Sequence, residues 1–153
     1  MEKIIVDTNI VFSGILNSNS RIGDLLLNSH PYLEFYSVNY LRIEIEKHKS
    51  KLMEISGLLE EEVDESKFQI LKNITFISEE QIPFEIWHKA ANFVRDVDMD
   101  DIAFVALSEF MEIKLWTGDK KLKEGLIAKG FDRCFTTEEV YELRKVLEKE
   151  DEK

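Results

Sequence analysis

The sequence has 153 residues, close to the roughly 150 typical of one domain, and its 44% apolar and 33% charged residues exclude a disordered chain. The net charge of −11 argues against binding nucleic acid over the whole surface, so contact with a polyanion would need a local basic patch or a bound cation. The single cysteine, Cys134, excludes an internal disulfide and a cysteine-rich zinc site, and it favours a reducing, cytoplasmic setting.

Short apolar runs alternate with segments of helical spacing along the chain. In chain order they predict a strand at 3–6, helices at 11–16 and 22–27, a strand at 33–38, helices at 40–55 and 60–71, a strand at 74–77, helices at 84–94 and 102–111, a strand at 113–117, a helix at 120–128, a strand at 134–136 and a helix at 138–147. This alternation predicts an α/β protein with a central parallel sheet and helices on both faces. We expect one domain over residues 1–147, followed by a charged tail at 148–153.

Two of these helices have features that the structure can test directly. The helix at 40–55 has Leu41, Ile45, Leu52 and Ile55 on its apolar side, and His48 fills the gap in their spacing. The helix at 102–111 is apolar on most sides, which predicts a central, buried position. We expect Thr137 to cap the last helix.

Acidic residues follow several of the predicted strands and helices. Asp7 comes directly after the first strand, and Asp119 follows the strand at 113–117 through Gly118. Asp101 lies at the start of the buried helix, and Glu44 lies at the border of the apolar face of the helix at 40–55. Ligand sites in parallel sheets lie beyond the carboxyl ends of the strands, so these acids are candidates for a shared site. Each could instead be a turn residue, a helix cap or a solvated side chain.

Several carboxylates at one edge of a sheet would need compensation. Two unit charges 4 Å apart repel by roughly 4 kcal/mol at an effective dielectric of about 20. Ligands that are all oxygen suit Mg²⁺ or Mn²⁺, whereas the three histidines, His30, His48 and His88, are too scattered for a zinc site. The sequence therefore favours a divalent metal at this edge.

Four short motifs then resemble, in order, those of PIN-domain ribonucleases. They are IIVDTN at 4–9, EI at 44–45, DMDDIAFVAL at 98–107 and WTGD at 116–119. The 18-residue step from Asp101 to Asp119 is also typical of the family. The resemblance covers about residues 3–140 and is closest in kind to stand-alone prokaryotic PIN domains of the toxin type.

This resemblance implies a three-layer α/β/α sandwich and Mg²⁺- or Mn²⁺-dependent hydrolysis of phosphodiester bonds in single-stranded RNA. The residues that it implies as catalytic and metal-binding are Asp7, Glu44, Asp101 and Asp119, with Asp98 as an additional ligand at a position where the family varies. Thr8 and Asn9 would support the Asp7 turn and the substrate. The family's chemistry leaves a 5′-phosphate and a 3′-hydroxyl.

RNA binding needs cationic side chains near these acids. One basic group, Arg42, Lys47, Lys49 and Lys51, surrounds Glu44, and another, Lys120, Lys121 and Lys123, follows Asp119. We assign Lys47, Lys120 and Lys121 to substrate binding. The alternative is that these lysines are the wet faces of helices.

The resemblance also implies partners, namely an antitoxin protein and a second copy of the chain in a homodimer. A rival interpretation is a PIN fold that keeps the acids but serves as a non-catalytic metal- or partner-binding module. A haloacid-type phosphatase fits poorly, because it needs a second aspartate where Asn9 stands. We expect no membrane association, because no apolar run approaches the roughly 18 residues of a membrane helix.

Overall fold

A computed structural model describes residues 1–152 of the chain. Its strands are β1 (Glu2–Val6), β2 (Leu33–Val38), β3 (Ile74–Ile77), β4 (Lys114–Trp116) and β5 (Cys134–Phe135). Its helices are α1 (Thr8–Leu16), α2 (Arg21–Asn28), α3 (Tyr40–Lys47), α4 (Lys49–Ser56), α5 (Glu60–Leu71), α6 (Phe84–Val94), α7 (Ile102–Met111), α8 (Lys120–Ala128) and α9 (Thr137–Asp151). Short 3₁₀ turns at Glu79–Gln81 and Met99–Asp101 precede α6 and α7.

All five strands are parallel and form one sheet in the order β3-β2-β1-β4-β5. Helix α7 packs on β1, β2 and β4 and contacts α6, while α1 contacts α2, α3, α4 and α5, and α9 contacts α2. These contacts place helices on both faces of the sheet, as the right-handed crossovers of parallel strands require. The predicted three-layer α/β/α sandwich is confirmed.

The core lies on both sides of β1 and β4. Ile5, Val6 and Trp116 have no exposed surface, and Phe35 of β2 packs its ring 5.9 Å from that of Trp116. The central position predicted for α7 is also confirmed, because residues 103–109 are all buried. No helix within residues 1–152 is both long enough and apolar enough to cross a membrane.

The helix predicted at 40–55 is wrong in one respect, because it is two helices. His48, with φ −102° and ψ 15°, leaves the helical region and separates α3 from α4. Leu41, Ile45 and Leu52 are buried as expected, but Ile55 is 56% exposed. The change of helix direction at His48 shifts the phase of the spacing, so the apolar side of α3 does not continue to the end of α4.

The cap of the last helix is also corrected by one residue. Thr136, not Thr137, accepts a hydrogen bond from the Glu139 N–H, and Glu139 accepts one from the Thr136 N–H, which completes a capping box. The Thr137 hydroxyl is used elsewhere, since it accepts a hydrogen bond from Trp116 Nε1. Helix α9 continues through residues 148–151 of the predicted tail, and Lys153 lies outside the described residues.

Candidate functional site

The strand order creates a crevice between β1 and β4. The chain leaves β1 toward β2 and β3 on one side, whereas β4 leads to β5 on the other. Val6 pairs with Trp116 at the last position of both strands, so Asp7 and Thr117 emerge side by side. Crevices at such a reversal, beyond the carboxyl ends of the strands, are the usual ligand sites of parallel sheets.

Asp7 is a buried carboxylate with one oxygen unused. Its Oδ1 accepts a hydrogen bond of 2.9 Å from the Ile10 N–H, so the residue does cap α1. Its Oδ2 is buried and has no hydrogen-bond partner within residues 1–152. Burial, with smaller contributions from the charges of Asp119 and Glu44, raises the pKa of Asp7 from 3.8 to about 6. Capping of α1 therefore accounts for Oδ1 of Asp7 but not for its buried Oδ2.

Asp101 faces the same crevice from the start of α7. Burial first, and then the negative charges of Asp7, Asp98, Asp119 and Glu44, together raise its pKa from 3.8 to about 7. Carboxylates from four separate parts of the chain therefore lie close enough to repel one another. We call Asp7, Glu44, Asp101 and Asp119 the acidic cluster.

The neighbouring acids Asp98 and Asp100 are placed differently. Both are exposed, and Asp98 Oδ1 accepts a hydrogen bond of 2.9 Å from the Asp100 N–H, which caps the 3₁₀ turn before α7. The role of Asp98 as an additional metal ligand stays a prediction, since its bond is local while its charge still reaches Asp101.

The other two members of the acidic cluster are held by short contacts. Asp119 Oδ1 accepts a hydrogen bond of 3.0 Å from the Leu122 N–H and caps α8, and the Asp119 N–H donates to Thr117 Oγ1. The Thr8 hydroxyl donates to Glu44 Oε1 at 2.5 Å. Thr8 thus connects α1 to α3 and holds Glu44, while Asn9 is exposed beside it.

The acidic cluster does not converge on a single point. Within residues 1–152 no three histidine, cysteine or carboxylate side chains are arranged closely enough to hold a metal ion together. The donor set nevertheless consists entirely of carboxylate oxygens, and it includes the unused Asp7 Oδ2. Such oxygens fit a hard divalent cation better than any softer metal.

A family model described as PIN domain matches residues 5–145, which span the chain from β1 into α9. The chain belongs to the PIN-domain family. Proteins of this family are generally nucleases, and they generally use divalent metal ions. No curated protein sequence is significantly similar to the chain. The resemblance found in the four motifs is thereby confirmed at the level of the family.

Some basic side chains of this PIN domain form ion pairs within residues 1–152, and others do not. Lys47, Lys120 and Lys121 are exposed and form no ion pair within residues 1–152. Lys49 is bound by Glu60 and Asp64, which raise its pKa, and Lys123 is bound by Glu139. The assignment of Lys47, Lys120 and Lys121 to substrate binding remains a prediction.

Sequence reasoning missed one residue next to the acidic cluster. Burial raises the pKa of Tyr40, and the charges of Glu44, Asp100 and Asp101 raise it further. Tyr40 begins α3 and stands four residues before Glu44, so both lie on one face of the helix. That spacing is a signal in the sequence that could have identified Tyr40.

Proposed function

We propose that this PIN domain is a metal-dependent endoribonuclease that hydrolyses phosphodiester bonds in single-stranded RNA at the acidic cluster. The observation that carries the proposal is the Asp7 carboxylate, which is buried with one unused oxygen among three further carboxylates. A buried charge without a partner is costly, and no lysine or arginine within residues 1–152 forms an ion pair with Asp7. A divalent cation would supply the missing charge.

Asp7, Glu44, Asp101 and Asp119 would hold Mg²⁺ or Mn²⁺, with Asp98 as an additional ligand. Such a cation, when bound, stabilises charge on a scissile phosphate and makes water a better nucleophile at neutral pH. The chain's own contribution is positioning. The Ile10 N–H holds Asp7 Oδ1 and leaves Oδ2 for the cation, and the Thr8 hydroxyl holds Glu44.

The substrate would be held by exposed cations beside the acidic cluster. Lys120 and Lys121 directly follow Asp119, and Lys47 lies one helical turn after Glu44. They supply the positive charge that a polyanion needs in a protein whose net charge is −11. By the family resemblance, the products would carry a 5′-phosphate and a 3′-hydroxyl.

Cleavage of labelled single-stranded RNA and single-stranded DNA, with Mg²⁺, Mn²⁺ or EDTA, tests this proposal. We expect metal-dependent cleavage of RNA that falls by about a hundredfold or more in Asp7→Asn and in Asp101→Asn, since each loses a carboxylate that would hold the cation. Asp132→Asn, an exposed acid outside the cluster, is the matched control and should cleave normally. Full cleavage by both cluster variants would refute the assignment, and cleavage of DNA alone would change the substrate.

A second candidate function is a non-catalytic module that binds a metal or a protein partner. The observation that favours it is that no three acids within residues 1–152 are close enough to hold an ion together. A module of this kind would show a rise in melting temperature with Mn²⁺ and no cleavage, because binding to the folded state alone stabilises it. The role of a toxin, with an antitoxin partner, and the homodimer are finer proposals that depend on the resemblance.

A further inference from the structure

A groove of about 470 Å³ lies beside the acidic cluster. It is lined by the turn after β4 (residues 117–119), by one side of α8, and by residues 136–138 at the N-cap and start of α9. We call it the α8–α9 groove. Asp119 lines this groove and also interacts with the other carboxylates, so the two sites share a wall. A polymer bound at the acidic cluster therefore has the groove within reach of its adjacent unit.

The lining of the α8–α9 groove combines an apolar surface with charged side chains of both signs, namely Lys120, Lys123, Asp119, Glu124 and Glu138. Ile127 is 51% exposed and presents its side chain to the groove from the last turns of α8. Lys120 lines the groove near Asp119 and is exposed. Pockets for small molecules typically join apolar walls to a few placed polar groups, which is the arrangement found here.

The Thr137 hydroxyl is the placed polar group. It accepts a hydrogen bond of 3.0 Å from Trp116 Nε1, and Trp116 is completely buried in the core. A hydroxyl has one proton and two lone pairs, so after this bond the proton and one lone pair remain for a ligand. Because the rigid indole of Trp116 fixes the position of the Thr137 hydroxyl, Thr137 offers a pre-organised hydrogen-bonding group at the amino end of α9.

We propose that the α8–α9 groove binds the nucleotide that flanks the scissile phosphate of single-stranded RNA, with its base against Ile127 and hydrogen-bonded to Thr137. Lys120 then binds the adjoining phosphate. The proposal rests on the proposed function for the identity of the polymer. It requires an unstacked base, which single strands provide and duplexes do not. The apolar wall contacts the face of any base, so this contact gives affinity without strict sequence preference.

The indole signal of Trp116 in a ¹⁵N-correlated NMR spectrum tests the proposal directly. The chain has two tryptophans, and Trp87→Phe assigns the remaining signal to Trp116. We expect uridine 5′-monophosphate to shift this signal saturably, in Mg²⁺ and in EDTA, because its hydrogen-bond acceptor lines the groove. Inorganic phosphate should shift it far less. No shift, or an equal shift with phosphate alone, would overturn the proposal.

Ile127→Ser and Val146→Ser form a matched pair, since both side chains are 51% exposed on helices and only Ile127 lines the groove. We expect roughly two- to tenfold weaker binding of uridine 5′-monophosphate in Ile127→Ser and unchanged binding in Val146→Ser. Equal affinities in the two variants would contradict the assigned wall. Thr137→Val should weaken binding by a similar factor through the lost hydroxyl, and unchanged affinity would remove Thr137 from the site.

Kinetics separate the groove from the proposed function. Ile127→Ser should raise KM for single-stranded RNA by the same factor and leave kcat unchanged. Metal-dependent cleavage together with an unmoved Trp116 signal would refute the groove and leave the nuclease standing. A saturable Trp116 shift in a protein that cleaves no RNA would refute the nuclease and leave the nucleotide site standing.

Discussion

Helix α7 carries an acid at each end, and the two ends are compensated in different ways. Near its carboxyl end, the buried Glu109 is bridged by Arg133 and by Lys89, the latter at 2.9 Å. At its amino end, Asp101 interacts with other carboxylates, and no lysine or arginine within residues 1–152 forms an ion pair with it. The chain thus neutralises the acid that serves the fold and leaves the other exposed to a cation.

This difference separates structure from function inside one helix. Paired buried charges are common in folds and say little about activity. Carboxylates whose pKa is raised by burial and by like charges, in the crevice of a parallel sheet, are typical of functional sites. Asp7 and Asp101 meet this description, with pKa values of about 6 and about 7.

In EDTA, the stability of the protein should fall as the pH rises, and this is the strongest effect that the comparison predicts. Asp7 and Asp101 have folded-state pKa values raised above the unfolded 3.8, so their stabilising contribution is complete below pH 3.8 and is lost as the pH rises through about 6 and 7. Between pH 5 and pH 8, Asp7 alone accounts for about 1 kcal/mol, because about one unit of its pKa shift falls in that range and each unit is worth about 1.4 kcal/mol. Urea unfolding at pH 5 and pH 8 should show lower stability at pH 8.

Asp7→Asn is the control for this slope, because it removes one titrating group and one repelling charge. Its stability should change less between pH 5 and pH 8 than that of the unmodified protein, and the remaining slope should come from Asp101. Saturating Mg²⁺ should also flatten the slope, since it favours the ionised carboxylates. An identical slope in the variant and the unmodified protein would show that Asp7 does not contribute to the pH dependence of stability.

Opposite signs for two neutralising substitutions are the next effect in size. In EDTA at pH 8, Asp7→Asn should raise the free energy of unfolding by about 1–3 kcal/mol, because it relieves an uncompensated buried charge and asparagine also caps helices. Glu109→Gln should lower it by about 1–2 kcal/mol, because Arg133 and Lys89 lose their partner but remain partly hydrated. Chemical denaturation of both variants measures the two changes.

If Asp7→Asn and Glu109→Gln change the free energy of unfolding in the same direction, the contrast between an uncompensated Asp7 and a neutralised Glu109 is wrong. Activity gives an independent reading of the same pair. Glu109→Gln should keep the RNA cleavage of the unmodified protein per folded molecule, whereas Asp7→Asn should lose it. A loss of cleavage in Glu109→Gln at full folding would place that ion pair in the functional machinery.

Much of the fold was predictable because parallel strands are buried on both faces and appear as short apolar runs. The strands at 33–38 and 74–77 agree with β2 and β3 to the residue, and the family follows from motifs that sit at strand ends. The break at His48 was not predictable, since the helical spacing of apolar residues in the sequence continues across it and only the backbone dihedrals of His48 reveal the break.

The candidate site was predictable only in part. Asp7 could be placed at the crevice because it directly follows a strand, and Asp101 because it precedes a buried helix. The hold of Thr8 on Glu44 could not, since it joins side chains 36 positions apart and depends on how α1 lies against α3. For the same reason the sequence could not reveal that Lys49 is already bound by Glu60 and Asp64.

A smaller effect is expected from the hydrogen bond between Thr8 and Glu44. Thr8→Val keeps the shape of a buried side chain but removes the donor to Glu44 Oε1, so Glu44 loses one fixed orientation. The loss of one such hydrogen bond is worth about 1 kcal/mol, or roughly fivefold. We expect a roughly fivefold rise in the Mn²⁺ concentration for half-maximal RNA cleavage, with little change in stability.

Thr8→Ser makes this prediction specific, because it restores the hydroxyl and removes only a methyl group. If Thr8 positions Glu44, serine should return the Mn²⁺ requirement to that of the unmodified protein, although the missing methyl leaves a small cavity. If both variants shift the requirement equally, the packing of α1 against α3 matters and the hydrogen bond does not. Asp7 and Asp119 are each held by the hydrogen bond with which they cap a helix. Glu44 reaches the crevice from α3, the helix after β2, so its carboxylate depends on the hydrogen bond from Thr8 of α1 to stay in the acidic cluster.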